Sequence, residues 1–159
     1  MDLHPIDPIR LVIRTAAPSD LAWNYLTDPE RVAEWFTDAS ELGEVGTTYR
    51  LDFGDGSVVE GPLVEVVPGR RFAHRWAWVD ATPVDARPAD ATPVGATPRQ
   101  ETLVRWEVRP LDAGGSEIEL IHEGWTEAGA DDAIRDDHEA YWSGYLDDLR
   151  DLLEDAAGS

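Results

Sequence analysis

The stretch RFAHRWAW, residues 71–78, places Phe72, His74, Trp76 and Trp78 at every second position, with alanine or arginine between them. Because successive side chains of a β-strand point to opposite faces, these four rings share one face. The pattern therefore predicts a strand with an aromatic inner face. The rings of that face either fill a core or line a pocket.

Further segments alternate apolar and polar residues in the same way and are expected to form the neighbouring strands. The last two, joined by LDAGG, are expected to form an antiparallel hairpin. The predicted strands lie within residues 8–15, 46–53, 57–67, 101–110 and 116–125.

Two short helices are expected between the first two of these strands, where the apolar spacing changes from two to that of a helix. Ser19 or Asp20 can cap the first helix. Thr27 or Asp28 can cap the second, and Pro29 can begin it, since a proline at the first helical position loses no hydrogen bond.

The C-terminal segment, residues 131–156, predicts one long amphipathic helix with aspartates on its outer side. Strands, two short helices and a long terminal helix indicate an α+β fold in which a curved antiparallel sheet wraps around that helix, since each has one apolar face to bury. The predicted inner face of the helix carries Ile134, His138, Tyr141, Trp142, Tyr145, Leu149 and Leu152 or Leu153.

Composition limits the classes of partner. The chain has 159 residues, enough for one domain over residues 1–159, and 13 basic against 33 acidic residues give a net charge of -20. Such a surface repels nucleic acid and anionic membranes, so neither is an expected partner.

There is no cysteine, no apolar run approaches the ~20 residues of a membrane span, and the N-terminus does not read as a signal peptide. A cytoplasmic location is expected.

The segment between residues 80 and 98 reads DATPVDARPADATPVGATP, in which ATPV occurs twice and proline recurs. This composition cannot form a core or a hydrogen-bonded ladder, and it predicts a surface loop.

The order of elements and several local signatures resemble the START and birch-pollen-allergen superfamily, also called SRPBCC. Within it the chain resembles the branch named for the activator of heat-shock protein 90 ATPase; the loop at 80–98 departs from that branch. The resemblance implies the helix-grip fold and an elongated apolar cavity between sheet and terminal helix. It is carried by DPERVAEWFTDA (28–39), GTTYRLDFGDG (46–56), EGPLVEVVPGRRFAHRW (60–76), ETLVRWEV (101–108), IELIHEGW (118–125) and HEAYWSGYLDDL (138–149).

The residues expected to face this cavity are mostly aromatic, and an apolar wall with a few polar groups is typical of a small-molecule site. A tightly filled core would have the same sequence pattern. The predicted cavity residues are Trp35, Phe36, Tyr49, Phe53, Phe72, His74, Trp76, Trp78, Trp106, His122, Tyr141, Trp142 and Tyr145.

Three histidines, His74, His122 and His138, are expected to point inward. They could converge on zinc or supply one general base, for which His122 is the candidate. No histidine pair has helical i, i+4 spacing and no carboxylate alternates inward beside them. We therefore expect no metal and no cofactor, and we expect the histidines to be buried polar residues satisfied by tyrosine, Thr102 or water.

Three functions are compatible with these features. The first is a binding domain, non-enzymatic or at most weakly catalytic, that encloses a hydrophobic or aromatic small molecule. The second is an enzyme of the polyketide cyclase or aromatase kind that uses a cavity histidine. The third, implied by the resemblance alone, is a co-chaperone or stress adaptor. A homodimer is a further expectation.

Overall fold

A computed structural model describes residues 6–54, 58–79, 101–112, 114–126 and 132–158. The proline-rich segment 80–98, predicted to be a surface loop, lies outside the described residues. Within the described part of the chain, no helix is both long and apolar enough to cross a membrane.

The chain forms seven strands and three helices in the described ranges. In chain order they are β1 (Ile9–Thr15), α1 (Ser19–Thr27), α2 (Pro29–Trp35), β2 (Asp38–Ala39), β3 (Thr48–Asp52), β4 (Val58–Val67), β5 (Arg71–Val79), β6 (Thr102–Pro110), β7 (Ser116–Glu123) and α3 (Asp132–Ala157).

The strands form one antiparallel sheet in the order β1-β7-β6-β5-β4-β3-β2. The register between β4 and β5 shifts between Leu63 and Glu65, and a bulge of this kind bends the strand and increases its twist. The sheet curls around α3, with α1 and α2 inserted after β1. The predicted α+β helix-grip fold is confirmed.

The two short helices begin differently. Asp28 caps α2 by accepting a hydrogen bond from the Glu30 amide at 3.0 Å, and Pro29 is the first helical residue, as expected. The expected cap of α1 by Ser19 or Asp20 is wrong. The Pro18 carbonyl already accepts the first helical hydrogen bond, from Ala22 at 3.0 Å, so Pro18 occupies the cap position and no side chain caps the helix.

The inner face of α3 is set by its buried residues, which recur at spacings of four, three and four and comprise Trp142, Leu146, Leu149 and Leu153. Leu146 was not expected in this set. Tyr141 was expected to face inward, but it is 70% exposed. Consecutive helical residues are rotated by about 100°, so centring the helix on Trp142 moves Tyr141 to the edge of the face.

The outer face of β1, β6 and β7 carries a ladder of ion pairs. Arg109 bonds the carboxylates of Glu107, Glu117 and Glu119 at 2.6 to 3.1 Å, and Arg10 also bonds Glu119. Burial alone raises the pKa of Glu119, but the hydrogen bonds from the two arginines outweigh it and the pKa lies below its usual value. Much of the acid excess on this face is therefore locally paired.

Candidate ligand pocket

A pocket of about 410 Å³ opens between β5, the chain after α2 and β3, and the N-terminal half of α3. Its wall is built mainly of aromatic rings. It is lined by Phe36, Phe53, Trp76, Trp78, Ile134, Asp137, His138, Tyr141, Trp142 and Tyr145.

The structure divides the sequence-predicted cavity residues into two groups. One group lines the pocket and comprises Phe36, Phe53, Trp76, Trp78, Tyr141, Trp142 and Tyr145. The other lies behind this wall in the core, with no member more than 4% exposed, and comprises Trp35, Tyr49, Phe72, His74, Trp106 and His122. The first two rings of RFAHRWAW therefore lie in the core, and its two tryptophans border the pocket.

Three lining residues are absent from the predicted set: Ile134, Asp137 and His138. Ile134 and His138 were expected on the inner face of the helix, although the predicted cavity set left them out. Asp137 was assigned to the outer, acidic side, but it lies three residues after Ile134 and four before Tyr141, spacings that place side chains on one helix face.

The rings of the wall contact one another in edge-to-face and tilted pairs. Phe36 lies 4.7 Å from Tyr145 and 5.1 Å from Trp142, measured between ring centroids. Trp78 lies 5.5 Å from Phe53 and 5.7 Å from Trp76. These separations are typical of favourable aromatic pairs, so the wall is held by its own packing.

His122 is at the centre of a hydrogen-bonded chain beneath the wall. The Trp142 indole N–H donates to His122 Nδ1 at 3.0 Å, and His122 Nε2 lies 2.6 Å from Thr102 Oγ1. An indole nitrogen can only donate, so Nδ1 carries no proton and Nε2–H donates to Thr102. Thr102 was one of the partners expected from the sequence.

This arrangement occupies both nitrogens of His122. The side chain is fully buried, and its burial, together with the charges of His138 and His74, lowers the pKa well below the usual value. His122 is therefore a neutral structural residue in this geometry, with no free lone pair to remove a proton from a ligand.

The other two histidines occupy different positions. His74 is buried, its Nδ1 donates to the Arg75 carbonyl at 2.9 Å, and burial lowers its pKa to about 4. His138 lines the pocket. Its Nδ1 donates to the Ile134 carbonyl at 2.8 Å, which leaves Nε2 as an acceptor for the Trp78 indole N–H at 3.3 Å.

The electrostatics of His138 follow from its position at the pocket. Burial lowers its pKa, while the hydrogen bond to Ile134 and the charge of Asp137 raise it, and the net pKa stays below the usual value. At neutral pH the imidazole is thus uncharged, and its one lone pair, on Nε2, accepts from the Trp78 indole N–H. Within the described ranges, no cluster of three or more histidine and acidic side chains could hold a metal ion.

Trp76 adds one unusual feature to the wall. Its side chain is 3% exposed, and its indole nitrogen is the one buried side-chain polar atom of the described residues that has no hydrogen-bond partner. An unpaired buried donor costs about 1–3 kcal/mol of stability.

The curled sheet that grips a long helix, with a pocket between them, defines a protein of the SRPBCC superfamily. A model of the family described as "Activator of Hsp90 ATPase homolog 1-like protein" matches residues 16–154, and the chain belongs to that family. No curated protein matches the chain.

Solved structures give the same fold. DynU16, a protein of the dynemicin biosynthetic locus, superposes with a TM-score of 0.73 at 26% identity; the match covers 94% of this chain but only 48% of that one. CalU16 from Micromonospora echinospora gives 0.65 at 19% identity over 92% and 75% of the two chains. The Aha1 dimer from Colwellia psychrerythraea gives 0.66 at 19% identity over 94% and 97%.

Proposed function

We propose that this chain is a small-molecule binding domain that holds a hydrophobic or aromatic ligand in the pocket between β5 and α3. The observation that carries the proposal is the composition of the wall, in which aromatic rings from four parts of the chain surround about 410 Å³. That volume lies within the range of ligand sites, roughly 300–1,000 Å³.

The few polar groups of the wall suit the orientation of a ligand better than catalysis. Asp137 is a carboxylate and Tyr141 carries its hydroxyl at the exposed edge, whereas both nitrogens of His138 already have hydrogen-bond partners. None of them forms a nucleophile and base pair with a neighbour. Apolar packing supplies the affinity, and these groups fix the ligand's direction.

A reporter titration tests the proposal. N-phenyl-1-naphthylamine, an uncharged dye that brightens in apolar surroundings, should bind saturably and with one site. Trp78→Ala should weaken binding about tenfold, since a partly buried ring contributes roughly 1.5 kcal/mol. Trp78 is 41% exposed, so its loss should leave the fold intact.

Val64→Ala is the matched control, because Val64 is also 40% exposed but does not line the pocket. Equal weakening by the two substitutions, or no saturable binding to the unsubstituted protein, would count against the pocket as a ligand site.

A second candidate is a cyclase-type enzyme, and the position of His138 is the observation that favours it. Of the described histidines it is the one in the pocket wall, and its unprotonated Nε2 accepts a long hydrogen bond, 3.3 Å, from the Trp78 indole. In this alternative the substrate displaces that N–H, and His138, rather than His122, takes a proton from the substrate. His138→Gln would then abolish product formation from a polyketide mimic while binding persists, whereas a pure binding domain gives no product with either form.

The partner classes expected from the family remain predictions. A chaperone adaptor should enrich the host chaperone in a pull-down above an unrelated acidic protein, and absence of enrichment removes that role. A homodimer should give twice the monomer mass in light scattering at micromolar concentration. A single monomeric peak removes the dimer.

A further inference from the structure

The charge of the pocket wall restricts its ligand further, and this inference rests on the proposed function. Asp137 is the charged residue among those that line the pocket, and no described arginine joins it there. The wall therefore offers a negative charge to a ligand and no positive one.

The nearest cation along α3 is committed elsewhere. Arg135 bonds Glu139 at 2.7 Å and Asp136 at 3.0 Å, and its remaining N–H groups donate to the carbonyls of Asp7 and Pro8. These partners hold the guanidinium on the side of the helix that faces the start of β1. Arg135 therefore does not neutralise the charge of the Asp137 carboxylate.

The imidazole of the wall already has partners for both of its nitrogens. His138 uses its Nδ1–H on the Ile134 carbonyl, and its Nε2 accepts from the Trp78 indole N–H. The acceptors in this corner for a ligand are therefore the carboxylate oxygens of Asp137. A ligand that fits them brings N–H or O–H donors.

The rings at the pocket edge favour a positive charge. Trp78 is 41% and Tyr141 is 70% exposed, so their faces can be reached from solution. The face of an aromatic ring carries negative potential and attracts a cation within about 6 Å of its centroid. A net charge of -20 on the whole chain adds a long-range attraction for cations and repulsion of anions.

We propose that the pocket selects ligands that join a hydrophobic or aromatic body to a protonated or quaternary amine, with the ammonium between the Asp137 carboxylate and the rings of Trp78 and Tyr141. The body of the ligand then occupies the deeper part of the pocket against Phe36 and Trp142. Carboxylate ligands such as fatty acids are disfavoured, because they would place a second anion beside Asp137.

A series of three ligands of one shape tests this selection. 2-Naphthylmethylamine is cationic at pH 7, 2-naphthylmethanol is neutral and 2-naphthoate is anionic, and calorimetry at about 0.15 M salt gives their affinities for the full chain. The amine should bind roughly tenfold tighter than the alcohol, as one exposed ion pair with a cation–π contact predicts. The naphthoate should bind most weakly.

Asp137→Asn should remove most of the preference for the amine while leaving binding of the alcohol unchanged. Asp136→Asn is the matched control, since it removes the same charge from the neighbouring position, where the carboxylate pairs with Arg135 outside the pocket.

The outcomes separate the two proposals. If the alcohol binds and the amine binds no tighter, or if Asp136→Asn lowers the preference as much as Asp137→Asn, amine selection is wrong and the binding function stands. If none of the three ligands binds, the binding function itself fails.

Discussion

Acidification should destabilise the fold through His74, and the size of the effect follows from its surroundings. The side chain is fully buried, and burial lowers the pKa from an unfolded value of 6.5 to about 4. Below pH 6.5 the unfolded chain gains a proton at this residue while the folded chain does not. Stability is therefore lost as the pH falls from 6.5 toward 4, and no more is lost through this group below that.

The magnitude is set by the gap between the two pKa values. The free energy of unfolding lost through His74 is about 3 kcal/mol in total and about 2 kcal/mol between pH 7.5 and pH 5. Burial also lowers the pKa of His122, so the contribution of His74 has to be isolated by comparison with a variant.

His74→Asn provides that comparison, because the asparagine amide can replace the Nδ1–H that donates to the Arg75 carbonyl. Urea unfolding followed by circular dichroism at pH 7.5, 6.5, 5.5 and 5.0 gives the free energy of unfolding of both proteins. The unsubstituted chain should lose about 2 kcal/mol more than the variant over this interval. Parallel pH profiles would refute the assignment of His74 as a neutral, buried residue.

Two further substitutions test the core beneath the pocket, each by urea unfolding. Trp142→Phe removes the N–H that satisfies His122 Nδ1 and should lower the free energy of unfolding by about 1–3 kcal/mol; an unchanged value would mean that the bond does not form. Gly61→Ala would place a Cβ atom 2.4 Å from the Arg75 carbonyl oxygen, so it should lower the free energy of unfolding by more than about 2 kcal/mol. Gly144→Ala in α3 is the control, because its Cβ would meet nothing within 4 Å and the substitution should be neutral or stabilising. Equal effects at the two glycines would contradict the close approach of β4 to β5.

The fold could be predicted from the sequence because the aromatic residues keep a strict period of two along β5 and a helical period along α3. Strand parity alone placed Phe72, His74, Trp76 and His122 on the inner face, and the structure buries all four. Such periodicity specifies which face is covered, since a shift of one residue would expose the whole set.

The same periodicity could not predict which of the inward-facing residues belong to the core and which line the pocket. That division depends on how deeply α3 lies in the sheet and on its rotation, which Trp142 and Leu146 fix by burial. That rotation moves Tyr141 to the edge and brings Asp137 and His138 to the wall. The bonding of His122 likewise needs Trp142 from α3 and Thr102 from β6 to meet, a contact between segments far apart in the chain.

The central claim is that the aromatic wall encloses a ligand. The most direct test compares the native mass of the freshly purified protein with its denatured mass, by mass spectrometry. Tryptophan fluorescence is then titrated with any compound that is released. The account predicts a compound with a hydrophobic or aromatic body whose rebinding quenches the tryptophans saturably, with weaker quenching in Trp78→Ala. A protein that carries nothing, and whose fluorescence does not respond to naphthylamines, aromatic ketones or fatty acids, would contradict it.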